Sequence, residues 1–483
     1  MIGKAKYLLI LLLAMTIADL SAQNSQTLYF MNIPQKHLNN PALRPSNSLY
    51  IGLPGISGIN VKINNNFVNF PDVFMENQSP DSIISFIHPD YNVDEFLAKI
   101  KEKSTLESEA TIQLFGLGFS VGKDSYVFLD INEHIVGNIV FPKDLFNLVL
   151  KGNEELIGNK IDLTSLGGDL KYYREVGLGF SKNITNKLRI GVKGKMLFGI
   201  AGASVDNRSL AITIDDNYTS LNADLNVNIS APVVVNMDAE NNVRSVVFDD
   251  SRFDAPGGKS DFFLGKKNIG LGLDIGATYD ITDKLVVSAA ITDFSFIKWK
   301  KDVTNLQVKS QFEYSGLNVF DFFDRTNTSE ELGTEMLDSL KNSFIISESN
   351  DPFTTWLPFG VTLGASYNIT GQLSLGLLSY SRIIGKQIRE SLTLSANINL
   401  GNLLSTSLSY TFANQRFDNL GAGLAFRAGI FQLYMVADRI PLMWNKINID
   451  SKSTISLPSN WNTINFRLGM NIAFGNRIRK KDN

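Results

Sequence analysis

Cysteine is absent from these 483 residues, and the only three histidines, His37, His88 and His134, are scattered. No disulfide framework, thiolate metal site or cysteine nucleophile can be built. Charge is sparse and nearly balanced, 45 basic side chains against 48 acidic, so no basic field exists to hold a nucleic-acid backbone. Beyond Ile17 no apolar run approaches the roughly 20 residues that a membrane-spanning helix needs. Mean hydropathy near zero argues against a bundle of such helices. It suits strands with one face toward lipid and the other toward water.

Catalytic groupings are also wanting. His134, in Ile131-Asn-Glu-His134, sits at a strand end without zinc-ligand spacing. Asp321 and Asp324 flank aromatics and read as loop acids around an apolar anchor, while Asp249, Asp250 and Asp254 read as a solvated acidic loop. Gly270-Leu-Gly272 belongs to a strand and no helix follows it, so it is not a phosphate cradle. No metal, cofactor or enzymatic activity is expected.

What is present begins at the N-terminus. Lys4 and Lys6 precede an apolar stretch from Tyr7 to Ile17, and the small residues Ser21 and Ala22 follow. That is the three-part plan of a secretory signal peptide, residues 1–22, with Gln23 as the mature start. The chain is expected to be exported, and with no cysteine it has no lipoprotein anchor.

Downstream, alternation of period two dominates. Ile464, Phe466, Leu468, Met470, Ile472 and Phe474 occupy every second position, as do Ile269, Leu271, Leu273, Ile275, Ala277 and Tyr279. Leu392 to Leu400 and Leu188 to Phe198 behave alike. Successive side chains of a strand point to opposite faces, so each segment has one continuous apolar face. Three connections repeat a pattern: an aromatic strand end, a polar turn containing Ile-Thr, and a new strand starting at Leu188, Leu285 or Leu373. An aromatic at the end of an apolar face marks an interfacial girdle.

Segments of crossing length then fall near 59–70, 111–121, 126–136, 170–182, 187–200, 268–279, 285–297, 356–367, 373–383, 391–400, 404–413, 420–427, 431–438 and 463–475. The expectation is an all-β, transmembrane antiparallel barrel of about 14 strands. With the repeat turns on the periplasmic side, the long links 71–110, 137–169, 201–267, 298–355 and 439–462 all fall outside. Thr304–Tyr314, although strand-like, must then lie in an outer loop. Short helices are expected in those loops at Asp94–Lys103, Lys143–Lys151 and Ser329–Leu340. The layout is a periplasmic or luminal segment over 23–58, a barrel over 59–475 and a periplasmic tail over 476–483.

Arg189, Lys193, Lys195, Arg467 and Asp274 oppose the apolar stripes and so face the lumen. Charge there could favour anionic solutes, or the bases could pair with acids such as Asp274 and hold a plug. In the last strand, Arg467, Gly469, Ile472 and Phe474 resemble the signal that the barrel-assembly machinery reads on its substrates.

The segment Met31–Pro45, with Asn40-Pro41-Ala42 at its centre, and Leu49-Tyr-Ile-Gly-Leu-Pro54 resemble a Bacteroidota outer-membrane family of unknown function. The region Ile291–Trp299 fits as well. Asn40-Pro41-Ala42 is similar to an element near the N-terminus of the PorP/SprF and PorV barrels of type IX secretion. The resemblance implies a FadL-like barrel and carries no catalytic residue. The expected function is an outer-membrane channel or conduit for small or hydrophobic molecules, with lipid and the assembly machinery as partners. The alternative is an envelope-assembly or secretion accessory that binds other envelope proteins. Nucleic acid is not an expected partner.

Overall fold

The computed structural model describes residues 26–475 apart from 77–82, 87, 89–90, 152–157, 216–217, 238–242, 255, 315–342, 386, 414–415, 449–453 and 460–461. The signal peptide expected over 1–22, the helix expected over 329–340, Asp321, Asp324 and the tail 476–483 lie outside the described residues. No described helix is long and apolar enough to cross a membrane.

The alternating segments form fourteen strands: β1 (Leu49–Gly52, resuming as Ile59–Asn65), β2 (Lys103–Val121), β3 (Ser125–Pro142), β4 (Gly167–Asn183), β5 (Leu188–Ile214), β6 (Ile269–Asp280), β7 (Leu285–Trp299), β8 (Phe353–Trp356, resuming as Phe359–Asn368), β9 (Leu373–Ile384), β10 (Gln387–Leu400), β11 (Leu404–Ala413), β12 (Arg416–Ala428), β13 (Phe431–Ala437) and β14 (Thr463–Phe474). Each pairs antiparallel with its sequence neighbour. β14 closes on β1 through Leu49↔Phe474 and Ile59↔Leu468. The result is a closed antiparallel barrel with no free edge.

The period-two pattern fixes which face looks out. Leu178, Leu271, Leu394 and Leu433 are 61%, 53%, 58% and 61% exposed, whereas Lys193 and Asn397, on the other face, are each 1% exposed. An apolar belt of this extent is untenable in water and is what lipid requires. Among the described residues, the Glu133–Arg174 ion pair interrupts it. Glu133 and Arg174 are cross-strand partners on the outer face of β3 and β4, and Arg174 Nε donates to Glu133 Oε1 at 2.7 Å.

The Ile-Thr turns share one geometry. In the first, Ile184 N–H donates to Leu188 O, and Thr185 Oγ1 accepts from Lys187 N and Leu188 N. Thr282 and Thr370 repeat it before Leu285 and Leu373. The hydroxyl accepts two N–H groups that a four-residue reversal would otherwise leave unpaired. These turns, Leu49 and Phe474 share one end of the barrel, and the long links leave from the other.

At the long-loop end β5 runs on to Ile214 and pairs with Thr219–Ser230. That strand pairs with Val303–Tyr314, which pairs in turn with Phe344–Ser349. The segment 304–314 therefore lies in a loop sheet standing on the barrel. Trp299 joins the two layers, packed at 0% exposure among Tyr173, Leu197, Ile297, Val303 and Leu357. Gly199 and Gly202 lie under its indole, where any Cβ would clash.

Three boundaries differ from the sequence expectation. The barrel starts at Leu49, not Ile59, because β1 is one strand broken by Leu53–Gly58. Gly55 N still donates to Gln113 O, and Met470 N to Ile56 O, so the wall stays sealed around the break. The helix expected over Asp94–Lys103 spans Val93–Lys99: Ile100 is already extended, and Lys103 opens β2. β2, β3 and β5 also outrun their expected bounds, because the loop sheet and long hairpins continue their ladders past the belt. The helix Lys143–Lys151 lies where expected.

Candidate functional site: the stoppered lumen

Residues 26–47 enter the barrel from the short-turn end and fill its lower lumen. One helical turn, Gln26–Tyr29, and a 3-10 turn, Pro34–Leu38, shape the segment. Pro34 suits the first helical position because no donor is needed there. Leu28, Met31 and Ile33 pack on Ala425, Tyr434 and Val436, giving the plug an apolar anchor. Elsewhere its grip is polar. Thr27 N donates to Asp438 Oδ1 at 2.9 Å, and Gln26 Nε2 to Ser391 Oγ at 2.6 Å. Gln35 and Asn471 exchange two hydrogen bonds of 2.7 and 3.0 Å. His37 Nε2 meets Asp130 Oδ2 at 2.8 Å, with both side chains fully buried.

The Asn40-Pro41-Ala42 element acquires a physical explanation. Asn40 is fully buried; its Nδ2 donates to Ala289 O at 3.3 Å, and its Oδ1 accepts from Ala42 N at 2.9 Å. A Cβ on Gly276 would collide with Asn40 Oδ1, and one on Gly191 with the Pro41 carbonyl. Glycine in the wall makes the seat, and a side-chain amide tied to both strand and plug fixes the register.

Of the charges proposed from sequence, the fold joins three. Lys193 contacts Glu175 at 2.7 Å and Asp130 at 3.3 Å. Lys195 contacts Asp274 at 2.9 Å, Asp293 at 2.5 Å and Glu175 at 3.5 Å. Acids and bases thus alternate along the inner wall from β3 to β7 and continue into the plug through His37. Buried charges paired in this way are tolerated because each finds a hydrogen-bonded opposite. Asp293 reaches its place with a positive φ of 64° at a β-bulge facing Asp274, whose Oδ1 accepts the Asp293 N–H at 2.6 Å. Arg189 stands apart, near the turn, where it donates to Asn183 Oδ1 at 2.9 Å. Arg467 lies on β14 and donates to Asn60 Oδ1 at 3.3 Å.

The residues read from sequence as an assembly signal lie on the closing strand. Ile472 pairs with Ile51 and Phe474 with Leu49. A Cβ on Gly469 would strike Ser57 O and the Tyr434 ring, so this glycine lets the β1 break pack against β14.

Above the plug is a second stop that the sequence reading missed. Arg382 on β9 crosses to Glu109 on β2 with a 3.3 Å contact, and Arg389 on β10 pairs with Glu107 on β2. β2 and β9 are seven strands apart in the closed ring of fourteen, so these pairs span the lumen from opposite walls. Between them lies a cavity of about 20 Å³, lined by Lys62, Glu109, Arg382, Val136 and Pro358 among others. Glu107 and Glu109 lie above the expected strand start at residue 111, and a β-bulge between Gln113 and Phe115 switches the parity of β2, so that odd-numbered residues face out below it and in above it. Among the described residues no cluster could hold a metal ion.

A closed barrel, a lipid-suited belt, a plug from the chain's own N-terminus and ion pairs across the lumen define a stoppered β-barrel. The chain belongs to a family of unknown function, DUF5723, whose profile matches residues 41–438. No curated protein matches it in sequence. Among solved structures it is similar to a Pseudomonas aeruginosa FadL homologue, at 11% identity over 94% of this chain and 97% of that one, TM-score 0.40. The Ralstonia pickettii toluene transporter TbuX shares 11% identity over 92% and 94%, TM-score 0.36. The Pseudomonas putida toluene transporter TodX shares 8% over 94% and 97%, TM-score 0.35.

Proposed function

We propose that this chain is a non-enzymatic outer-membrane barrel that acts as a gated conduit for small or hydrophobic molecules, with the short turns in the periplasm and the loop sheet outside. The observation that carries the reading is the stopper: the lumen holds a separable segment gripped mainly by hydrogen bonds and ion pairs. Polar contacts of this kind exchange with water at modest net cost, so such a segment can shift where a hydrocarbon-packed core could not. Uptake of the lipophilic dye N-phenylnaphthylamine by intact cells tests it. Cells producing the protein should take up the dye faster than cells without it, while still excluding vancomycin. Equal dye uptake would refute the conduit.

A second reading, an accessory barrel that works by binding other envelope proteins, draws on the outer loops. Val246, Val247, Phe248 and Phe263 are about half exposed on one loop, and Leu442, Met443 and Trp444 on another. Pull-down of a defined envelope partner that is lost on Phe248→Ser and Trp444→Ser, with dye uptake at background, would favour it.

A further inference from the structure

The long-loop end carries a surface that neither stop uses. The loop strands Thr219–Ser230, Val303–Tyr314 and Phe344–Ser349 set six side chains in two rungs. Asn226 stands opposite Gln307 and Gln307 opposite Ser347; in the next rung Asn228 stands opposite Asn305 and Asn305 opposite Ser349. Side chains directly opposite one another share a face of the sheet. Asn228 is also opposite Ser204, and Ser204 opposite Asp169, which lines the cavity at the upper stop. The rungs therefore face the barrel axis and not the surrounding lipid. Val303, on the same face as Asn305, packs into the Trp299 cluster, so this surface has a fixed base.

The composition is not what a strand needs. Asn is poorly suited to extended backbone, and threonine would wet the face at less cost. Yet both rungs hold only carboxamides and hydroxyls, although the rung beyond them is charged, Asp224 opposite Lys309. Asn305 Nδ2 donates to the Asp351 carbonyl at 2.8 Å, while its Oδ1 is buried with no partner among the described residues. A buried acceptor left open calls for a donor from outside. The rungs line a cleft of about 370 Å³, within the size range of small-molecule sites. Phe353 lines it too, stacked on Trp299 with ring centroids 6.1 Å apart. The charged groups among the described lining residues are Glu348 and Asp351, and none is basic. Carboxamides and hydroxyls both donate and accept, which matches a ligand whose own groups are hydroxyls, and an aromatic face suits the C–H surface of a sugar ring. An apolar solute would leave the amides unpaired, and an anion would meet two carboxylates. We propose that this cleft is a binding site for a free, neutral saccharide. The site goes beyond the conduit reading and does not require it, since a saccharide can bind above a lumen that stays shut.

Saturation-transfer NMR on the full barrel in lauryldimethylamine oxide, a detergent without sugar, tests the site. Maltotriose, mannotriose and chitotriose serve as neutral probes and trigalacturonate as the anionic one. At least one neutral probe should receive saturation from the protein, and trigalacturonate should receive none. Asn228→Leu with Gln307→Leu, shown to be folded by heat-modifiable gel mobility, should weaken that binding about tenfold. Transfer to no neutral probe, equal transfer to trigalacturonate, or unchanged affinity in the double variant would overturn the proposal. Crystals of the wild type soaked in the bound probe cover a variant that fails to fold. Sugar density should contact Asn305 and Gln307, and density found only elsewhere would contradict the site. Dye uptake plays no part in these measurements, so the conduit reading stands or falls separately.

Discussion

At the scale of single residues, the outer and inner faces of one strand obey opposite rules. Leu271 and Leu394 point into the belt, so Leu271→Arg or Leu394→Arg should lower stability by about 2–4 kcal/mol, read by urea unfolding in lipid. Conservative changes to isoleucine should have little effect. Equal loss from both classes would mean the outer face is not in lipid. The Glu133–Arg174 pair is the exception within the belt. Removing only Arg174, as Arg174→Leu, leaves a carboxylate stranded and should destabilise by about 3–5 kcal/mol. Glu133→Leu with Arg174→Leu should recover most of that. A double variant no better than the single one would show that the pair is not coupled.

Glycine works at this scale too. Gly276 exists to admit Asn40. Gly276→Val should unseat the plug without touching the lipid face, which protease access to residues 26–47 in detergent would reveal. A plug as resistant as in the wild type would contradict the seat.

Among elements, the repeated turn shows how much the sequence made legible. Ile-Thr before a leucine recurs three times, and one Thr hydroxyl serves two N–H groups in each. Thr282→Val removes that acceptor and should cost about 1 kcal/mol. Unfolding midpoints equal to the wild type would assign the repeat to chance. The fourteen strands were readable because alternation is local and each belt face must be apolar throughout. The break in β1 was not. Leu53–Gly58 contains proline and glycine, the usual signs of a strand's beginning, and only pairing with Gln113 and Met470 shows that the ladder continues. The plug was readable as a segment but not as a fit. Gln35 meets Asn471 and Gln26 meets Ser391 across more than three hundred residues, and no local pattern encodes such partners. Lys193, Lys195 and Asp274 could be placed on the lumen face from parity, whereas the pairing with Glu175 and Asp130 required the closed ring. Arg382 and Arg389 flank a hairpin tip, and there the alternation gave no reason to look across the lumen.

For the whole molecule, the account rests on two stops in series, the plug below and the ion pairs above. Each alone should keep the lumen shut, because either obstructs the same path. Single-channel recording in planar bilayers measures this directly, with heat-modifiable gel mobility confirming that each variant is folded. The wild type, a variant lacking residues 26–47, and Arg382→Gln with Arg389→Gln should all show little conductance. The variant combining the deletion with both substitutions should conduct in steady, large steps. A wild type that already conducts like the combined variant, or a folded combined variant that stays silent, would contradict a lumen closed by two removable stops.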